Sequence, residues 1–130
     1  MADLKLVREW IDKADEDFGF ASSVLPDTTY YAHLCFHFHQ AAEKYLKAFI
    51  VAYDLEFKKV HDLLALLKIC KKKEPAIAEL TEECRFLNRF YIDTRYPVHW
   101  PSNYTFELAK KAEKAAQHIQ KFVKRLLNFE

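Results

Sequence analysis

Glycine occurs once in this chain of 130 residues and proline four times, and that scarcity decides most of what the chain can become. Tight turns, bulges and left-handed backbone draw on glycine. A sandwich or barrel of many short strands is therefore excluded. A glycine-rich phosphate loop is excluded too, because no second glycine exists to build one. What remains is a set of long helical runs with few breaks.

The apolar pattern agrees. In the first segment, Leu4, Val7, Ile11, Ala14, Phe18, Ala21 and Leu25 recur at steps of three and four, with Asp3 placed to cap the helix. Pro26, Asp27, Thr28 and Thr29 make a turn, and Thr28 or Thr29 can cap the next helix. A second segment, about Tyr30 to Tyr53, carries Leu34, Phe38, Ala41, Tyr45 and Phe49 on one face. Cys35, Ala42, Leu46, Ile50 and Phe36 widen that face, which predicts packing on more than one side. His33, His37, Gln40 and Lys44 are its polar strip. A third, short helix is expected over 63–70, with Lys71, Lys72 and Lys73 near its end, where cations suit the helix dipole. Pro75 fits the first turn of a fourth helix, which carries Ile77, Leu80, Cys84, Leu87 and Tyr91. Asp93 to Asn103 reads as the longest non-helical stretch, and a last helix begins near Thr105 with Leu108, Ala112, Ala115, Ile119, Phe122 and Leu126 on its apolar stripe. The pattern predicts an all-α, antiparallel up-and-down bundle of four long helices plus one short helix, in a single domain spanning 1–130.

Composition narrows the function. The hydrophobic share of 51% and aromatic share of 15% supply a core without disulfides or structural metal. Lys and Arg number 20 against 19 Asp and Glu, so bulk charge does not select nucleic acid, and any such role rests on a local patch. Cys35, Cys70 and Cys84 form no CxxC pair, which argues against a zinc site or a disulfide framework, and no cofactor is implied. Cys35 and Cys84 read as core thiols. No apolar stretch reaches membrane-spanning length and the N-terminal residues lack an apolar signal core. A soluble, cytoplasmic protein with no membrane partner is expected.

Three groups of residues can carry chemistry. His33 and His37, one helical turn apart, can face a divalent metal, but the pair lacks further ligands and the HExxH form, and the plainer reading is a polar helix edge. Lys44 extends that strip toward a phosphate or toward solvent. The stretch Asp93 to Trp100 packs Arg95, Tyr96, His99 and Trp100 together. Arg95 can hold a phosphate bidentately, His99 can act as acid or base, and the aromatics can stack on bases. The same residues equally suit an Arg95–Asp93 pair that orders the loop. On the last segment, Lys110, Lys114, His118, Lys121 and Arg125 share the face opposite the apolar stripe, which suits a phosphate backbone or a solvated surface.

The ordered set Cys35 to Ala48 (CFHFHQAAEKYLKA), His61-Asp62-Leu63, Thr94-Arg95-Tyr96-Pro97 and Tyr104-Thr105 resembles the HEPN domain family, named for higher eukaryotes and prokaryotes nucleotide-binding. The resemblance covers essentially the whole chain. It implies a bundle of four or five helices, often dimeric, and a frequent partner, a small nucleotidyltransferase, in a toxin–antitoxin pair. Many members are metal-independent ribonucleases whose motif is an arginine, a polar residue and a histidine four to six residues on. Here the match is Arg95 to His99, with three residues between them. Tyr96 stands in the polar position, Pro97 lies in the gap, and Pro101 stands where some members carry a modified tyrosine. The chain thus looks closer to the nucleotide-binding branch, the ribonuclease with Arg95 and His99 as catalytic residues being the alternative.

The expected site joins Arg95 and Tyr96 to His37 and Lys44 as ligand-binding residues in a cleft between the loop and the second helix. A homodimer is expected as well, with the second helix near the interface, because Phe36, Leu46 and Ile50 extend its apolar face beyond one stripe.

Overall fold

Asp3 opens the first helix: its side chain accepts the Lys5 amide at 2.9 Å, which satisfies one of the donors a helix start leaves over. The computed structural model describes residues 3–95 and 104–129, with side chains described except at 92–95. Five α-helices occur in order: α1 (Leu4–Val24), α2 (Tyr31–Ala52), α3 (Leu63–Lys73), α4 (Thr81–Arg95) and α5 (Phe106–Leu127). Short 3₁₀ turns at Leu25–Asp27 and Pro75–Leu80 precede α2 and α4. No strand occurs among the described residues, and none of the helices is long and apolar enough to cross a membrane.

The helix boundaries have local causes. Asp62 caps α3 by accepting the Leu64 and Ala65 amides, and Thr105 caps α5 by accepting the Leu108 amide at 3.1 Å. Lys71, Lys72 and Lys73 form the last turn of α3 rather than following it. Asn128 ends α5 in the left-handed conformation at φ 59°, a position that asparagine tolerates. The expected threonine cap on α2 is displaced. Thr28 does bond an amide, but that of Tyr30, which itself occupies the cap position without a side-chain bond. Pro75 opens a 3₁₀ turn and not α4 itself. Asp93, Thr94 and Arg95, expected in a loop, continue α4 to its end.

An antiparallel bundle results in which α2 is the central helix, packed against α1, α3, α4 and α5. Its breadth of apolar surface is used up there. Leu46, Ile50, Cys35, Phe38 and Tyr45 are all fully buried within one chain. Phe36 is half-buried and lies over Tyr91 of α4. The width of the α2 apolar face is therefore no argument for a dimer, because neighbouring helices of the same chain cover it. The predicted stripes on α1 and α5 also face the core, except Leu4, which lies exposed at the free end of α1.

Candidate functional site

Alongside its apolar faces, α2 carries a second polar line that crosses the interior. His39, Glu43 and Lys47 are spaced at one helical turn each and are buried. Buried charge is costly unless paired, and each of these groups has a partner. Lys47 Nζ donates to Glu43 Oε2 at 2.8 Å, and lies 5.9 Å and 5.8 Å from the ring centres of Trp10 and Phe57, within cation–π range. Glu43 Oε1 lies 2.9 Å from His61 Nδ1. His39 Nε2 meets the His61 backbone carbonyl at 3.0 Å, so that nitrogen carries the hydrogen. Burial holds the His39 imidazole below its ordinary pKa, the neutral form.

His61 is where this line reaches the surface. Its ring lies over that of Tyr91 with centroids 4.4 Å apart and planes 20° from parallel. His39 and Phe36 also stack near Tyr91, at 5.6 Å and 6.5 Å. One residue on, Asp62 not only caps α3 but accepts from Asn88 Nδ2 at 2.9 Å, while Asn88 Oδ1 accepts the Leu63 amide at 2.8 Å. These bonds pin the α2–α3 connection to α4. Between them Val60, His61, Asp62, Asn88 and Tyr91 line a groove of about 350 Å³. It offers an aromatic platform, an imidazole, a carboxylate and an amide, a combination suited to a planar base and its hydrogen-bonding edge. Arg95, the last residue of α4, comes one turn after Tyr91.

The expected site residues divide. His37 and Lys44 both turn to α1, where Asp17 Oδ1 lies 3.3 Å from His37 Nδ1 and Asp17 Oδ2 accepts from Lys44. Burial pushes the Asp17 carboxyl up, but hydrogen bonds to His37 and Lys44 outweigh it and hold the group below the usual carboxylate range. The polar strip thus has a polar neighbour in α1. The side chain of Arg95 and the whole of Tyr96 and His99 lie outside the described residues, and with them the expected cleft to His37 and Lys44. His33 packs edge-on to Tyr30, and no group of three or more His, Cys, Asp or Glu converges as metal ligands among the described residues. On α5, Lys110 pairs with Glu113, and His118 is held between Glu83 and Glu79 at 2.7 Å and 2.8 Å.

Sequence reasoning took His39, Glu43, Lys47 and His61 only as part of a family resemblance and gave them no role. The signal was present: a histidine, a glutamate and a lysine at steps of four inside the most apolar helix, where unpaired charge is not tolerated.

The comparisons accord with this architecture. The sequence profile of the HEPN domain matches residues 7–126. Among solved structures, TT1696 from Thermus thermophilus is 31% identical, with 92% of this chain and 96% of that one covered at a TM-score of 0.81. ST0689, an archaeal HEPN homologue, is 28% identical over the same shares, with a TM-score of 0.75. None of the curated proteins matches. With the profile spanning nearly its whole length, the chain belongs to the HEPN domain family.

Proposed function

We propose that this protein is a nucleotide- or RNA-binding HEPN subunit that takes its ligand in the groove between the α2–α3 connection and α4. The observation that carries this reading is the parallel His61–Tyr91 pair beside Asp62 and Asn88. Aromatic faces stack on any base, and neighbouring polar groups read its edge. Arg95 and Tyr96 come soon after Tyr91 in the chain and supply the phosphate and a further base contact in this reading. In this reading His37 and Lys44 meet the ligand through the nitrogen and the donors that Asp17 leaves over.

The partner in this reading is a small nucleotidyltransferase in a toxin–antitoxin-like pair, and the working form is a homodimer. Both rest on the family and on no contact within the chain.

Calorimetric titration of mononucleotides and a short RNA against wild type, Tyr91→Leu and Arg95→Ala tests the site. Wild type binds, and each variant weakens binding about tenfold or more, the loss of one stacked base or one charge-assisted contact being worth roughly 1–3 kcal/mol. No binding by wild type overturns the reading. Light scattering at micromolar concentration tests the dimer, and co-purification with a co-expressed nucleotidyltransferase tests the pair.

A further inference from the structure

We propose that the hollow on α5 lined by Gln120, Lys121, Lys124 and Arg125 binds a phosphomonoester dianion. The hollow measures about 410 Å³, and none of its lining residues belongs to the Tyr91 groove. The proposal therefore stands apart from the reading of that groove.

The charge in the hollow is unbalanced. Lys124 Nζ donates to Asp15 Oδ2 at 2.8 Å. Lys121 and Arg125 meet no carboxylate among the described residues, and Arg125 lies over the Phe122 ring at 5.4 Å from its centre. Lys121 and Arg125 are one helical turn apart, a spacing at which like charges repel. The dipole of α5 accounts for cations in its last turn, which holds Lys124 and Arg125. Lys121 lies before that turn, so the helix end does not explain it. A dianion seated among the three cations relieves the repulsion that the free protein carries.

Two of the lining side chains are already held in place. Gln120 Nε2 donates to Asp15 Oδ1 at 3.1 Å and to Tyr45 Oη at 2.8 Å. The Tyr45 hydroxyl donates to the same Asp15 oxygen, and its side chain is fully buried. Asp15 of α1 and Tyr45 of α2 thus anchor Gln120 and Lys124 from beneath, which lowers the entropy lost when a ligand binds. Lys124 spends one ammonium hydrogen on Asp15 and keeps two. Lys121 brings three further donors and Arg125 a planar fork. A phosphomonoester offers three terminal oxygens that only accept. The fork takes two of them and an ammonium the third. A phosphodiester has two such oxygens and one charge, and satisfies the hollow less well.

Glycerol 2-phosphate tests the site, because it has no base to stack in the Tyr91 groove. Calorimetry is run at constant ionic strength and about pH 8, where the monoester is a dianion. Wild type binds it, and binds the diester dimethyl phosphate more weakly. Lys121→Gln and Arg125→Gln, both at exposed positions, each weaken the monoester about threefold to tenfold. Tyr91→Leu binds it as wild type does. A 5′-phosphorylated oligoribonucleotide and its 5′-hydroxyl counterpart separate the sources of the phosphate. A gain from the 5′-phosphate that disappears in Lys121→Gln assigns the site to a strand end. Equal binding of the two strands, with glycerol 2-phosphate still bound, assigns it to a small free phosphomonoester. No binding of glycerol 2-phosphate by wild type, or binding unchanged in both α5 variants, overturns the site. Loss of that binding in Tyr91→Leu would place the phosphate in the groove and overturn the site as well. Loss of nucleotide binding in Tyr91→Leu with glycerol 2-phosphate still held leaves both sites standing, and wild type that binds only glycerol 2-phosphate overturns the groove reading alone.

Discussion

Glu43 and Lys47 face each other across one turn of α2 in the interior, ammonium to carboxylate at 2.8 Å, with side chains 5% and 8% exposed. Such a pair adds little over apolar residues of similar volume, yet removing one member strands the other charge. Lys47→Met is expected to lower the unfolding free energy by about 3–5 kcal/mol in urea titration. Glu43→Leu combined with Lys47→Met is expected to cost less than the two single changes together.

Acid and base act on different latches. Asp17 and Asp15 have folded pKa values below the ordinary 3.8. For Asp15, burial raises the value, but hydrogen bonds from Lys124, Tyr45 and Gln120 outweigh it. A depressed carboxyl stabilises above its unfolded pKa, and that stability is lost as pH falls through the folded value. His118 is the reverse. Burial lowers its pKa, but the bonds to Glu83 and Glu79 outweigh burial and raise it above 6.5. Its contribution is full below 6.5 and is lost as pH rises through the raised value. Melting curves of wild type and His118→Gln should therefore lie furthest apart below pH 6.5 and converge in mild alkali. Curves with the same separation throughout would count against the clamp.

Ile50 is fully buried inside one chain. Ile50→Ala is expected to cost about 2–5 kcal/mol, the loss being the same at every protein concentration. A concentration-dependent loss would instead place Ile50 at a subunit interface.

Cys35, Cys70 and Cys84 are free and fully buried, and burial pushes each thiol up to about 12. Reactivity follows the thiolate. A disulfide reagent at neutral pH should label none of the three in the native protein and all three in denaturant.

The contrast between these predictions shows what the sequence carries. Val7, Ile11, Ala14 and Ala21 on α1, like Leu34, Phe38 and Phe49 on α2, are buried as their spacing requires, because a helix has one period and a core has one side. The partners of polar residues have no such rule. Asp17 meets Lys44 and His37, and Asp15 meets Tyr45, Gln120 and Lys124. These pairs join different helices, at angles no local spacing encodes. The same holds for the candidate site residues on α2. His37 and Lys44 share a helix strip with each other, but which neighbouring helix the strip meets is a tertiary fact. His39, Glu43 and Lys47 were legible as a line and illegible as a site, since His61 and Tyr91 complete it from two other segments.

The latch under that site is Asn88, which uses both ends of its amide. Its oxygen accepts the Leu63 amide at 2.8 Å, and its nitrogen donates to the Asp62 carboxylate at 2.9 Å. Asp62 in turn satisfies the amides of Leu64 and Ala65. Three of the donors at the start of α3 thus depend on two side chains. Removing the Asp62 carboxylate costs the cap, about 0.5–2 kcal/mol. Removing the Asn88 amide leaves the Leu63 donor without its partner, a loss of about 1–3 kcal/mol. Because Asn88 also holds Asp62, the two changes are coupled. Asn88→Ala with Asp62→Ala should depart from additivity by about 0.5–3 kcal/mol in a double-mutant cycle. Hydrogen exchange should quicken first at the amides of Leu63, Leu64 and Ala65 in Asn88→Ala, while those in the middle of α2 stay protected. His61 immediately precedes this latch, so the frayed variant should also lose the fixed His61–Tyr91 stack and bind a nucleotide or RNA more weakly at unchanged overall fold. Asn88→Ala that exchanges like wild type at those three amides would show that the bond network does not hold the start of α3.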